Sequence, residues 1–202
     1  MRGFPDRLRR VLFWSAAVPV AYLLLVRPLL LRWGATREEA RAALPGDELM
    51  PRAHVVATRA VTIAAPPEAV WPWLAEVSGP DERLAPEPRK FGVGDLLPAG
   101  RGDAGFRVER AEPDRLLVLS IRGFYVTLSW TIALRDLGGG RTRLVSRQRV
   151  RCRPGVPGFV YLLLSQSADF LAVRGRLAAV KTLAEREFRR SFLEPRAGSR
   201  VP

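Results

Sequence analysis

The sequence predicts an α+β fold in which a curved antiparallel β-sheet wraps around a long C-terminal helix, preceded by one transmembrane helix. Three observations lead to this expectation: an apolar run at residues 11–31, alternating segments between residues 55 and 152, and helical apolar spacing over residues 170–184. The chain has 202 residues, of which 48% are hydrophobic. A domain of ordinary size with a packed core therefore fits after the first helix.

The apolar run at residues 11–31 is long enough to span a bilayer. At about 1.5 Å of rise per residue it covers roughly 30 Å, the thickness of the hydrocarbon core. Its one charged residue, Arg27, stands close enough to one end to reach the interface, and Trp14 and Trp33 suit the two interfacial zones. The sequence thus predicts a single-pass membrane protein, with the bilayer as its partner.

Two other interpretations of this run remain open. A cleaved signal peptide would also have a basic start and an apolar middle, but no small-x-small cleavage site follows promptly. A buried soluble helix is disfavoured by Pro19 and Pro28, since each removes a backbone donor. Arginines flank the run on both sides in nearly equal number, so the side of the membrane that carries the domain is not decided.

The net charge of +13 raises the question of nucleic-acid binding. Nearly all the basic residues are arginine, with Lys90 and Lys181 the two exceptions, which indicates a general composition bias. The charge is also clustered, because residues 141–153 hold six arginines and no acidic residue. We therefore expect no nucleic-acid partner. The single cysteine, Cys152, excludes an intrachain disulfide and a Cys-rich zinc cluster.

Local signals divide the rest of the chain into elements. Thr36, followed by Glu38 and Glu39, predicts a short capped helix in a linker. A β-branched strand is predicted at residues 55–63, and Pro66-Pro67 opens a helix. Further strands are predicted at residues 91–97, 106–111, 116–122, 124–137 and 141–152.

Three stretches resemble the SRPBCC superfamily, which contains the START lipid-transfer domains, the birch-pollen-allergen-like proteins and the polyketide cyclase/dehydrase-like proteins. They are residues 58–74, the Gly92-Val-Gly-Asp motif followed by residues 106–113, and residues 168–181. The resemblance covers about residues 56–188 and implies a helix-grip fold. The expected domains are a membrane anchor at 1–34, a linker at 35–55, the helix-grip domain at 56–190 and a tail at 191–202.

A sheet that curves around a helix leaves an apolar cleft between the two. The candidate cleft residues are those predicted to point inward: Trp73, Phe106, Phe124, Leu128, Trp130, Ser146, Gln148, Phe170, Val173 and Leu177. Ser146 and Gln148 stand out, since polar side chains on an inward face need a partner. The alternate arginines Arg143, Arg147, Arg149 and Arg151 should point outward. They are candidates for contact with anionic lipid headgroups.

No catalytic constellation accompanies the cleft. The single histidine, His54, lies in the linker, and neither Cys152 nor any serine belongs to a nucleophile motif. We expect no cofactor and no metal. The sequence favours a membrane-tethered, non-catalytic binding domain for an apolar small molecule or lipid. A cyclase/dehydrase-like enzyme that uses the same cleft, or a structural domain with a filled cavity, remains an alternative.

Overall fold

The computed structural model describes residues 20–78, 90–98, 105–153 and 155–193, and consists of one antiparallel sheet and a long C-terminal helix. The six strands of the sheet lie in the order β1-β6-β5-β4-β3-β2. Their bounds are β1 Val55–Ile63, β2 Leu96–Pro98, β3 Gly105–Glu112, β4 Leu116–Arg122, β5 Val126–Asp136 and β6 Thr142–Cys152. The prediction of an α+β fold with an antiparallel sheet and a C-terminal helix is confirmed.

Short helical segments precede and follow β1. A π-helical stretch, Tyr22–Val26, leads into the first α-helix, and a 3-10 turn, Trp71–Leu74, separates two others. The α-helices are α1 Arg27–Leu31, α2 Arg37–Arg41, α3 Pro67–Val70, α4 Ala75–Ser78 and α5 Val156–Leu193. The predicted capping of the linker helix is confirmed, because Thr36 Oγ1 accepts from the Glu39 amide and Glu39 accepts from the Thr36 amide. Helix α5 begins well before its predicted apolar stripe.

The hydrophobic core lies between the sheet and α5. Alternation along the strands places every second side chain on the inner face, which faces α5. The inner-face residues of the central strands are almost inaccessible to solvent, and α5 closes the core with four residues. These core residues are Leu117, Leu119, Trp130, Ile132, Leu134, Leu144, Val173, Leu177, Val180 and Ala184.

The N-terminal segment covers the open edge of β1. The amide of Ala60 donates a 3.1 Å hydrogen bond to the carbonyl of Trp33. The Trp33 ring lies edge-on to Phe170, with centroids 6.2 Å apart, and beneath the guanidinium of Arg174. An uncovered edge strand invites pairing with other chains, and these contacts occupy it. The predicted domain boundaries are not tested by these contacts and stay predictions.

The predicted membrane span lies partly outside the described residues, since residues 11–19 belong to the part that the structure leaves out and residues 20–31 are described. Within the described ranges, no helix is both long and apolar enough to cross a membrane. The part of the span that is described exposes large apolar side chains, among them Leu24, Leu25 and Leu29.

Gly34 provides a test of how tightly the N-terminal segment is held. Its φ is +70°, and a Cβ there would lie 2.1 Å from the carbonyl oxygen of Ala60. We expect Gly34→Ala to destabilise the protein, by about 1 kcal/mol for the backbone conformation plus the cost of displacing the segment from β1. Chemical denaturation of the full chain in detergent measures the change.

Gly138→Ala is the matched control for this measurement. Gly138 has nearly the same φ, +74°, but a Cβ there would meet nothing within 4 Å. The difference between the two variants isolates the close approach to Ala60. Equal losses of stability in the two variants would mean that the close approach of Gly34 to Ala60 contributes nothing, and would contradict a tightly held N-terminal segment.

Candidate functional site

Most of the predicted cleft residues lie in the interior between the sheet and α5. Their burial varies from complete to partial, and Phe170 and Leu128 are the least buried. The fully or nearly fully buried members are Trp73, Phe106, Trp130, Ser146, Gln148, Val173 and Leu177. The rings of Phe106 and Trp130 meet edge-to-face at 5.6 Å. Nothing in the structure tests whether these residues contact a ligand, so their binding role stays a prediction.

Arg59 is the centre of a polar cluster in this interior. Its side chain is 1% exposed and points toward α5 from the middle of β1. Nη1 donates a 2.7 Å hydrogen bond to Gln148 Oε1, and Nη2 lies 3.1 Å from Asp169 Oδ2. Nε donates to the carbonyl of Leu30, and the guanidinium lies 5.9 Å from the centre of the Phe170 ring. One side chain thus joins β1, β6, α5 and the N-terminal segment.

Ser146 has a different partner within the same interior. Its hydroxyl oxygen accepts a 2.8 Å hydrogen bond from the indole nitrogen of Trp130. The expectation that Ser146 and Gln148 need partners is therefore answered by two separate pairs. Gln148 belongs to the arginine cluster, and Ser146 fixes the orientation of the largest core side chain.

The Arg59 charge is buried, and this limits the chemical groups that can pair with it. A buried guanidinium requires an anion, because an unpaired charge in a low-dielectric interior is strongly unfavourable. Asp169 supplies that anion, yet its own side chain is 40% exposed. The cluster therefore reaches from the apolar interior to solvent. A carboxylate or phosphate that replaced Asp169 would leave the Arg59 charge paired.

The sequence analysis missed Arg59, although a signal was present. β1 alternates, and Arg59 has the same parity as Ala57 and Ile63, which are buried. Parity alone places its side chain on the inner face. The sequence also gives no indication that Asp169 is the anion that pairs with Arg59. Its pairing with Arg59 joins residues 110 positions apart in the sequence, and no local pattern shows it.

The prediction for Phe124 is wrong. Its side chain is 74% exposed and lies in the turn between β4 and β5. The alternation of Phe124 with Val126 and Leu128 suggested one continuous strand, but β5 begins only at Val126. Phe124 therefore does not line the space between the sheet and α5.

The expectation of an exposed arginine face is also wrong for Arg143, Arg147 and Arg149. These side chains do point away from α5, but residues 36–52, which we call the covering segment, lie over them. Arg147 is 3% exposed. Its guanidinium donates to the carbonyls of Glu39, Ala40 and Ala42, to Thr58 Oγ1 and to Asp47. Their role at a lipid surface was predicted from an exposure that they lack.

Arg149 and Arg151 hold the end of the covering segment. Arg149 donates to the carbonyls of Met50 and Pro51, and Arg151 donates to that of Arg52. Arg151 is still exposed to solvent. The arginines of β6 thus satisfy backbone carbonyls of a segment with little regular structure of its own.

Arg143 binds Glu39 through two hydrogen bonds. Nε donates to Oε1 at 2.8 Å and Nη2 to Oε2 at 2.7 Å, and both side chains are mostly buried. The Arg143 guanidinium lowers the pKa of Glu39, while partial burial opposes the change. Glu39 therefore stays ionised in the folded protein and joins α2 to the sheet.

The described residues include no set of His, Cys, Asp and Glu that could hold a metal ion. Burial raises the pKa of the Cys152 thiol, so the neutral form is favoured over the nucleophilic thiolate. His54 is exposed at the start of β1, where its Nδ1 accepts from the Cys152 amide.

Comparisons with known proteins identify similar folds but no family. No family model matches the chain, and no curated protein matches it. A hypothetical protein of Helicobacter pylori is similar in structure, with a TM-score of 0.50, 13% identity, and coverage of 70% of this chain and 95% of that one. At this identity the similarity supports the fold alone.

Two further solved structures are similar at lower TM-scores. A polyketide-cyclase-like protein of Corynebacterium glutamicum has a TM-score of 0.35 and 20% identity, covering 76% of this chain and 100% of that one. CalU16 of Micromonospora echinospora has a TM-score of 0.38 and 16% identity, covering 67% of this chain and 86% of that one.

Arg147→Gln tests whether the covering segment is part of the folded domain. The shorter glutamine side chain cannot reach the carbonyls of α2, and it removes a cationic partner of Asp47. We therefore expect a loss of about 3 kcal/mol in the free energy of unfolding. Arg107→Gln, at an exposed position on β3, is the control and should change stability by less than about 0.5 kcal/mol. Equal effects would contradict the structural role of Arg147.

Glu39→Gln tests the ion pair through its pH dependence. Glutamine preserves the capping geometry but removes the charge, so we expect a loss of about 1–2 kcal/mol at neutral pH. Because the pKa of Glu39 is lowered on folding below its ordinary value of 4.5, its stabilisation is present at neutral pH and is lost as the pH falls below 4.5 and through the folded-state pKa. Unfolding curves of wild type and variant should therefore converge in acid. Glu38→Gln, at the exposed neighbouring position, should follow the wild type throughout.

Proposed function

We propose that this protein is a membrane-tethered, non-catalytic binding domain whose ligand is an amphiphile, with an apolar body and an anionic head. The apolar body would lie among the aromatic and aliphatic side chains between the sheet and α5. The head would bind at Arg59 and Gln148. The observation that carries this proposal is the buried guanidinium of Arg59, held in an apolar interior by the partly exposed carboxylate of Asp169.

The exposure of Asp169 supports an exchangeable site. A buried ion pair that serves only packing gains nothing from a partner that is open to water. Here the anion that neutralises Arg59 can rotate into solvent, while Gln148 and the Leu30 carbonyl keep the guanidinium in place. An incoming anionic group would then form the charge-assisted hydrogen bonds that Asp169 gives up.

The membrane tether is supported by the apolar run at residues 11–31 and by its exposed described part. An apolar ligand with a charged head is the kind of molecule that resides in a bilayer. A domain held at the bilayer surface would meet such a ligand at high local concentration.

Native mass spectrometry of the full chain, purified in detergent, tests the ligand class. The probes are a fatty acid and the fatty alcohol of the same chain length, mixed in equal amounts. We expect wild type to retain the acid in preference to the alcohol. Arg59→Gln should lower the preference by about tenfold, the equivalent of roughly 1.4 kcal/mol. Asp169→Asn should raise it, because the competing carboxylate is gone.

The two variants are expected to change the preference for the acid in opposite directions. This distinguishes a binding role of the cluster from a purely structural one. If the cluster served only to hold α5 against β1, both substitutions would weaken the fold and neither would favour the acid. Gln148→Leu is the matched control within the cluster, since it removes a partner of Arg59 without changing any charge. Retention of acid and alcohol in equal amounts by wild type would contradict the proposal. Chemical conversion of a bound molecule by the wild-type protein would instead favour the cyclase/dehydrase-like enzyme.

A further inference from the structure

The last residue of β4 and the turn that leads into β5, together residues 122–125, present two aromatic side chains to solvent. Phe124 is 74% exposed and Tyr125 is 61% exposed, and their rings meet edge-to-face at 4.8 Å. The turn is fixed to the neighbouring strand, because the amide of Arg153 donates a 2.9 Å hydrogen bond to the carbonyl of Tyr125. The pair is therefore a fixed apolar projection at one end of the sheet.

The surroundings of this projection are basic. The guanidinium of Arg153 lies 4.8 Å from the centre of the Phe124 ring, and Arg122 and Arg151 are exposed beside it. Neither residues 121–128 nor residues 149–159 contain an aspartate or glutamate. The projection thus combines exposed aromatic rings with positive charge.

The described end of the N-terminal apolar run lies against β1. The carbonyl of Leu30 accepts a hydrogen bond from Arg59, and the carbonyl of Gly34 accepts one from Arg143, which pairs with Thr62 farther along β1. Between these two residues the chain advances in the direction of β1.

Strand register places the aromatic turn at the end of the sheet where β1 begins. Val55, the first residue of β1, pairs with Val150, and Val150 pairs with Leu128 near the start of β5. The turn at residues 122–125 directly precedes β5. Helix α5 also starts here, at Val156, a few residues beyond the end of β6. The aromatic turn and the start of α5 thus share one end of the domain.

We propose that this end of the domain lies on a bilayer surface that contains anionic lipids. Phe124 and Tyr125 enter the interfacial zone, where aromatic rings are favoured, and Arg122, Arg151 and Arg153 contact headgroup phosphates. The inference rests on the proposed membrane tether and adds the surface by which the domain meets the membrane. It replaces the covered arginines of β6 as the lipid-contact site and retains Arg151 from the predicted set.

Site-specific fluorescence on the full chain tests this surface. An environment-sensitive probe is attached at Tyr125→Cys in one sample and at Leu137→Cys in another; Leu137 is an exposed apolar residue beside the β5–β6 turn, at the opposite end of the sheet. Each protein is reconstituted in vesicles of phosphatidylcholine with or without phosphatidylglycerol. Cys152 is buried, and the wild type treated with the same reagent corrects for any labelling there.

We expect the probe at position 125 to shift to shorter wavelength in anionic vesicles and to be quenched by spin-labelled lipid, with neither effect at position 137. The double variant Arg122→Gln, Arg153→Gln should lose the dependence on phosphatidylglycerol. The matched variant Arg135→Gln, Arg141→Gln, at exposed positions near the other end, should keep it.

Three outcomes overturn the proposal in distinguishable ways. A chain that inserts in vesicles while position 125 stays as aqueous as position 137 refutes the contact surface but leaves the tether. A chain that stays in solution, with position 125 unshifted, refutes both. A concentration-dependent shift at position 125 without vesicles shows instead that a second copy of the chain covers the aromatic turn.

Discussion

The antiparallel pairing of β1 with β6 is the constraint on which the rest of the structure depends. These are the first and last strands of the sheet in sequence, and their nine-residue register sets which side chains face α5 and which face the covering segment. Gln148 lies on the inner face, while Arg147 lies on the outer face. A slip of one residue would exchange them, burying Arg147 among apolar side chains and leaving Gln148 under the covering segment.

Two arginines on this pair of strands extend to opposite faces of the sheet. From β1, Arg59 reaches inward and joins the N-terminal segment to α5 through the Leu30 carbonyl and Asp169. From β6, Arg147 reaches outward and satisfies three carbonyls near α2. A guanidinium suits both tasks, because it presents five donors in a fixed planar arrangement. The same sheet therefore carries a buried cation on each face, one with a partner open to solvent and one fully enclosed.

Local chemistry made much of the fold predictable from the sequence. The capping of α2 by Thr36 depends on residues three positions apart, and the 3-10 turn Trp71–Leu74 follows from the proline at position 72. Alternation shows which face a strand residue occupies, but not what covers that face. The burial of Arg147 therefore could not be read from β6 alone, because it depends on a segment about 100 residues away in the sequence. The prediction for Phe124 is wrong for a related reason, since the alternation of apolar residues in the sequence continues through the turn before β5.

The contacts of the N-terminal segment determine how the proposed membrane tether would orient this domain. A flexible linker would let the domain rotate freely above the membrane, so no particular surface would face the lipid. Here Leu30, Trp33 and Gly34 are bound to β1, to α5 and to Arg143. An anchor that ends at such a docked segment transmits its orientation to the sheet. Arg59 stands at this junction, so under the proposed function an anionic head in the interior would act on the same side chain that holds the N-terminal segment to β1.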